Sequence, residues 1–198
     1  MLELAILGLL SESPMHGYEL RKRLNALLGT FRAFSYGSLY PTLRKMRAAG
    51  WIATDGPAAG LGGRSKVVYE LTAEGKERLA DMLDEAGPSA WEDESFGVHF
   101  AFFAQTPPQA RMRILEGRRI RLEEKRERVS GHLRTRERLD AYTLELQRHG
   151  LESVEREVRW LTELIENERS NTPPQPRRGS GRASRAVGGP ETAHPPQE

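Results

Sequence analysis

Arg44 and Lys45 stand side by side in Gly37-Ser38-Leu39-Tyr40-Pro41-Thr42-Leu43-Arg44-Lys45-Met46, a segment that reads as a short helix with two unlike faces. Arginine can pair bidentately with guanine O6 and N7, and lysine binds base or phosphate as a point charge. Further on, Arg64 and Lys66 flank Ser65 at the tip of a glycine-rich loop, Gly62-Gly63-Arg64-Ser65-Lys66. Basic groups on such a tip suit phosphate or the minor groove better than major-groove bases. From Arg21 to Lys66 the chain carries nine basic side chains and a single acid, Asp55. Charge this one-sided is the footprint of a protein that meets a polyanion, the plainer alternative being a solvated basic surface. Tyr40 can donate its hydroxyl to a phosphate or can simply pack.

Other chemistry finds little support. His16, His99, His132, His149 and His194 are scattered, with no His-x-x-x-His pair. The chain has no cysteine, so thiolate catalysis, disulfides and cysteine metal sites are excluded. Gly60-Leu61-Gly62-Gly63-Arg64 superficially resembles a phosphate-cradling loop. It lacks the Walker spacing and the following Lys-Ser/Thr, and it lies between short strands rather than before a helix. No catalytic motif, metal site or cofactor is expected.

The elements that would position the basic residues can be read from periodicity. Leu2 to Leu10 forms a first helix, stopped by Ser11-Glu12-Ser13-Pro14. Gly17 opens a second, with Leu20, Leu24, Leu27 and Leu28 on one stripe and Arg21, Lys22 and Arg23 off it. A turn over Phe31 to Tyr36 leads to a third helix that starts near Ser38 as N-cap, with Pro41 in its first turn. At about 100° per residue, Leu39, Leu43 and Met46 face inward. Ser38, Pro41, Arg44, Lys45 and Ala48 face outward, and Tyr40 sits on a flank. Gly50 ends that helix. Ile52-Ala53-Thr54 and Val67 to Leu71 are two strands of a hairpin, and Thr72 caps a fourth helix through Leu79, Met82 and Leu83. A helix followed by a basic-tipped hairpin is the reading head of a winged helix-turn-helix.

Residues from 107 to about 170 read as helix almost throughout. Leu151, Val154, Val158, Leu161 and Ile165 step by three and four, and Leu115, Leu122 and Val129 recur every seven residues. His149-Gly150 is read as the break between two helices. One narrow stripe on each helix must pair, with the neighbouring helix or with a second copy of the chain; the alternative is a hairpin packed wholly within the chain. Between head and arms, Phe96, Phe100 and Phe103 follow helical spacing, with Trp91 outside the stripe. They read either as the wall of an effector pocket, Trp91, Phe96 and Phe100 facing the ligand, or as the core joining the two parts. Stripes at helical spacing favour core, and Trp91 is the best placed of them to meet a ligand.

The 198 residues are 37% hydrophobic and 29% charged, an ordinary mixture for one domain or a small domain with a helical extension. A net charge of +2 does not by itself call for nucleic acid. The run Leu4 to Leu10 is too short to span a bilayer, and Glu3 stands where a signal peptide would carry a basic leader. A cytoplasmic protein, with no membrane partner, is expected. Residues 171–198 hold Pro, Gly, Ser and Arg with almost no large apolar side chains, a composition expected to be disordered.

Leu4-Ala5-Ile6-Leu7-Gly8-Leu9-Leu10, Pro14-Met15-His16-Gly17-Tyr18-Glu19-Leu20, Gly37 to Leu43, and Gly63-Arg64-Ser65-Lys66-Val67-Val68-Tyr69-Glu70-Leu71-Thr72 together resemble the PadR family of bacterial transcriptional regulators. The resemblance covers roughly residues 1–83. His149-Gly150-Leu151 and Glu157 to Ile165 extend it to the longer subgroup. It implies a homodimer whose C-terminal helices embrace the partner, and repression at a promoter inverted repeat, in some members relieved by a small molecule. It also implies that Tyr40 and Pro41 lie on the recognition helix and that Arg64 and Lys66 form the basic wing. The tail after residue 170 departs from the family and carries no implied role.

The expected fold is mainly α with a small β-wing: a winged helix-turn-helix (1–85), a C-terminal helical dimerisation domain (86–170) and a tail (171–198). The expected function is a sequence-specific, double-stranded DNA-binding regulator, a dimeric repressor with a small-molecule effector. Ser38, Tyr40, Pro41, Arg44, Lys45, Arg64, Ser65 and Lys66 would touch DNA. Leu115, Leu122, Val129, Leu151, Val154, Val158, Leu161 and Ile165 would make the dimer. The alternative is a helical protein–protein adaptor whose winged domain has lost its affinity for DNA.

Overall fold

A helix that is apolar on every side can only be stable inside a core. Leu2–Glu12 (α1) is such a helix, with all of Leu4 to Leu10 buried. The protein is described by a computed structural model over residues 1–29, 36–55, 67–134 and 140–171. Among these residues there are seven α-helices and one three-stranded antiparallel sheet, a mainly helical fold.

Around α1 pack Gly17–Leu28 (α2), Tyr36–Ala48 (α3) and Ala73–Asp84 (α4). On α2 the buried stripe is Leu20, Leu24 and Leu28. Leu27, expected with them, lies at the edge of that stripe and is 41% exposed. Thr72 caps α4 as expected, its hydroxyl accepting from the Gly75 amide at 3.0 Å.

The sheet holds one strand more than the hairpin. Met15–His16 (β1) pairs with Val68–Leu71 (β3), which pairs on its other side with Ile52–Asp55 (β2). The register sets Met15 opposite Tyr69, His16 opposite Val68, and Ile52 opposite Leu71. A two-residue strand is too short to show an alternating pattern in sequence.

After α4 the chain runs through a 3-10 turn (Pro88–Trp91), Phe96–Ala101 (α5) and a second 3-10 turn (Phe103–Gln105) into Pro108–Arg134 (α6) and Ala141–Asn171 (α7). The expected break at His149-Gly150 is corrected: α7 runs through both residues, and the two helices part between Arg134 and Ala141. A single helical glycine costs only about 1 kcal/mol, too little to end a helix held by its seam. The true start is set by Asp140, whose carboxylate accepts from the amides of Tyr142 (2.9 Å) and Thr143 (3.0 Å) and from the Thr143 hydroxyl (2.6 Å). Those bonds hold its pKa below the usual carboxylate range.

Two apolar cores result. One fills the head and takes Val98 and Phe102 from α5 and its end. The other joins Ala90 and Phe96 to Ile114, Leu115, Leu122, Val154, Val158, Leu161 and Ile165. The segment between residues 86 and 106 therefore feeds both cores. The tail beyond residue 171 lies outside the described residues.

Candidate nucleic-acid interface

The position of α3 follows from its apolar face. Leu39, Leu43 and Met46 are each no more than 1% exposed. Burying three such side chains contributes on the order of 5 kcal/mol or more, enough to fix the rotation of a 13-residue helix. Ser38, Pro41, Arg44, Lys45 and Ala48 are in consequence exposed, and Tyr40 is half-buried against the head core.

Both ends of α3 differ in detail from expectation or are built more firmly than it. The helix begins at Tyr36, so Ser38 is not its N-cap; the Ser38 carbonyl accepts from the Thr42 hydroxyl at 2.8 Å. Pro41 accordingly stands in the second turn and removes one rung of the helix ladder. At the other end Gly50 adopts φ +77°, which L side chains rarely take. Its amide donates to Arg47 O and the Trp51 amide to Met46 O, each at 3.0 Å. This paired closure satisfies the last carbonyls and turns the chain into β2.

Lys45 is less available than Arg44. Its ammonium lies 2.8 Å from Glu3 on α1, although the side chain is 71% exposed. Arg44 and Arg47 lie near Tyr69 of β3, and both favour its ionised form. Burial outweighs them and, with the nearby Tyr40, raises the Tyr69 pKa above 10.0. Beside Tyr69, a cleft of about 470 Å³ is lined by His16, Gly17, Tyr18, Tyr40 and Tyr69 among others. His16 Nδ1 donates to Val67 O at 3.2 Å. Arg64, Ser65 and Lys66 lie outside the described residues.

The residues assigned to a dimer seam and an effector pocket are found elsewhere than on open surfaces. Leu115, Leu122, Val154, Val158, Leu161 and Ile165 pack against one another between α6 and α7 of the same chain. Val129 and Leu151 lie half-buried further along the hairpin. Phe96 stacks on Phe100 with centroids 5.7 Å apart, Phe100 meets Phe103 at 4.9 Å, and Trp160 closes on Phe100 at 5.1 Å. The Trp91 ring rests on α6 at Gly117. This packing is that of a core.

Two arginines bind that core together. Arg118, 6% exposed, lies 5.3 Å from the Phe96 ring centroid. It donates to Glu157 (3.0 Å) on α7 and to Trp91 O (3.1 Å), and it pairs with Asp93. The guanidinium bond holds the Asp93 pKa below 3.8. Arg111 donates to Glu168 (2.9 Å) and to the carbonyls of Thr106 (2.9 Å) and Phe103 (3.3 Å). Sequence reasoning missed both. Their signal was present: Arg111 and Arg118 share the helical stripe of Leu115 and Leu122, where a charge must find a partner.

Comparison with known proteins bears on the head above all. Residues 6–81 match the model of the transcriptional regulator PadR-like family. The negative transcriptional regulator PadR of Bacillus subtilis is 34% identical over 83 residues, which cover 42% of this chain and 45% of that protein. The match thus spans about half the length of that curated relative. The crystal structure of B. subtilis PadR with operator DNA is similar at 23% identity, covering 84% of this chain and 98% of that one, with a TM-score of 0.41. The structure of the same protein with p-coumaric acid gives 23% identity, 85% and 98% coverage and a TM-score of 0.39. Over residues 6–81, which take in α1, the sheet and α3, the chain is similar to the PadR-like family of transcriptional regulators.

Proposed function

We propose that the chain is a DNA-binding transcriptional repressor that acts as a homodimer on an inverted repeat. The observation that carries DNA binding is the presentation of α3: an apolar face locked in the core and an outer face bearing Ser38, Pro41 and Arg44. Such a helix fits a major groove, where Arg44 can reach a guanine edge and Ser38 and Tyr40 can position the backbone. Lys45 joins as a phosphate contact by exchanging Glu3 for DNA. Arg64, Ser65 and Lys66 supply the wing contacts. Repression is supported by the relative that shares the head, a negative regulator.

Dimerisation uses apolar surface that the intrachain seam leaves open. Tyr142 and Leu146 on the first turns of α7 are 89% and 71% exposed, and Leu146 lines a cleft of about 460 Å³ together with Leu122, Val129 and Val154. Two heads joined there would address successive major grooves, roughly 34–36 Å apart. A small-molecule effector would act by favouring a dimer of another spacing. To reach Trp91, Phe96 and Phe100 it must part residues 88–105 from α6 and α7. Among the described residues no helix is long and apolar enough to cross a membrane.

Footprinting on the DNA upstream of its own gene, with light scattering on the free protein, tests this reading. A protected inverted repeat and a dimer at micromolar concentration are expected. A monomer that protects no DNA, yet captures a protein through α6 and α7, would establish the adaptor reading instead.

A further inference from the structure

The short helix α5 takes part in both cores. Val98 and, at the helix end, Phe102 enter the head core, while Phe96 enters the core of the arm with Phe100 packed against it. The bridging segment is seated on a glycine at each side. The Phe102 ring lies on Gly8 of α1 and the Trp91 ring on Gly117 of α6, both so close that a Cβ at the glycine would overlap the ring. Such sockets hold one docked arrangement. Between Trp91 and Phe102 stands His99, only 3% exposed. Its Nδ1 is buried and finds no hydrogen-bond partner among the described residues. Packing alone does not account for a buried nitrogen left unpaired.

We propose that His99 makes the joint between head and arm sensitive to protons: uptake of one proton by its ring releases α5 from the head, and DNA is then held less tightly. The step that concerns DNA rests on the proposed dimeric repressor, in which the arm sets the spacing of the heads; the joint itself does not. A neutral imidazole can leave one nitrogen bare, but an imidazolium has two N–H groups and a charge to satisfy. The joint supplies no acceptor at Nδ1. α2, which packs on α5, buries Gly17, Leu20, Leu24 and Leu28 and no charge. Arg118, over the Phe96 ring, is itself positive. Burial opposes protonation of His99 most, the Met1 amine adds to it, and Glu85 after α4 counters them only in part. Docking and protonation therefore exclude each other, and acid favours the released form. With an ordinary imidazole pKa of about 6.5 in that form, a fall from pH 7.5 to 5.5 changes the ratio of released to docked molecules by at most about tenfold. Asp93 stays ionised over this range, so its pairing with Arg118 keeps the segment on the arm while the head side gives way.

The test compares the full chain with His99→Gln and His99→Leu, neither of which titrates. Hydrogen exchange is followed without DNA at pH 7.5 and 5.5, corrected for the intrinsic rate. Fluorescence anisotropy on a duplex that the parent selects from a randomised pool is read at the same two pH values and equal ionic strength. In the parent, protection over residues 95–105 should fall by up to about tenfold in acid while that of α6 and α7 holds. Affinity for the duplex should fall several-fold. Both variants should show neither change. Protection that holds in the parent at pH 5.5, or falls equally in the variants, overturns the proposal. So does a joint that opens with affinity for the duplex unchanged. Where the variants do not fold, NMR titration of the parent's His99 ring decides. A ring that protonates only as residues 95–105 lose protection supports the switch, and one that protonates at about pH 6.5 with them still protected overturns it. A joint that opens as expected in a parent that selects no duplex removes the DNA-binding reading and leaves the joint standing.

Discussion

The head and the α6–α7 hairpin are both built on long apolar patterns, yet they are held in different ways. In the head, α1 is surrounded, and residues from every neighbouring helix and strand close on it. In the hairpin each helix buries one stripe, and the flanks are tied by ion pairs: Arg118 to Glu157 and Asp93, Arg111 to Glu168, and Arg169 to Glu116. A surrounded core fixes the direction of every outward side chain, which a surface that reads DNA needs. A two-helix seam leaves lateral faces open. Tyr142, Leu146 and Ile120 occupy them at 89%, 71% and 53% exposure. Under the proposed function, the head supplies geometry and the arm assembly.

The sharpest break of that contrast is Leu43→Ala. The side chain is 1% exposed, so truncation should cost about 3 kcal/mol in a denaturant melt. DNA affinity should fall with it, because α3 loses its anchor. Next comes Arg118→Ala, which removes three interactions by which α6 holds α7 and residues 91–93. With Asp93 and Glu157 partly exposed, a cost of about 2 kcal/mol is expected. Hydrogen exchange should rise in residues 88–105 and in α7 while α1 stays protected. Equal loss of protection in α1 would show that the two cores unfold as one.

Much of the head was legible because its signals are local. Leu39, Leu43 and Met46 at helical spacing, Gly50 at a helix end and Thr72 before a helical run each need only their neighbours to be read. β1 was not legible, since Met15 and His16 become a strand only by pairing with Tyr69 and Val68. In the arm the seam residues were readable, but their partner was not: a heptad stripe states that a helix must pair and is silent on whether the second helix belongs to the same chain. The break was misplaced because Gly150 is a conspicuous residue, whereas Asp140 acts through the Tyr142 and Thr143 amides. In the site, the exposure of Arg44 followed from the wheel. The tie of Lys45 to Glu3 joins residues far apart in sequence and shows only in the fold.

A smaller effect probes the head alone. Thr72 accepts from the Gly75 amide and donates to Gly50 O at 2.7 Å, linking α4 to the end of α3. Thr72→Ala should cost about 1 kcal/mol in a thermal or denaturant melt. The smallest separates the two junctions by pH. Burial, and after it the charge of the chain's N-terminus, holds the pKa of His99 below 6.5. The unfolded state therefore binds the proton first as pH falls, and the docking of α5 on the head weakens below about pH 6.5. Asp93 is depressed below 3.8, so its pairing with Arg118 is kept until pH falls through that lower range. Stability followed from pH 7 to 3 should decline first through α5 and later through the arm. His99→Gln should flatten the first phase only.

The central claim is that α3 is a DNA-reading helix aimed by its buried face, and Arg44→Ala tests it most directly. Affinity for a duplex selected by the parent protein is compared with that of the variant at physiological salt, with both melting curves recorded. The account predicts a variant that melts like the parent and binds that duplex roughly tenfold to a hundredfold more weakly, the worth of one bidentate guanine contact. A variant that folds alike and binds alike would contradict it.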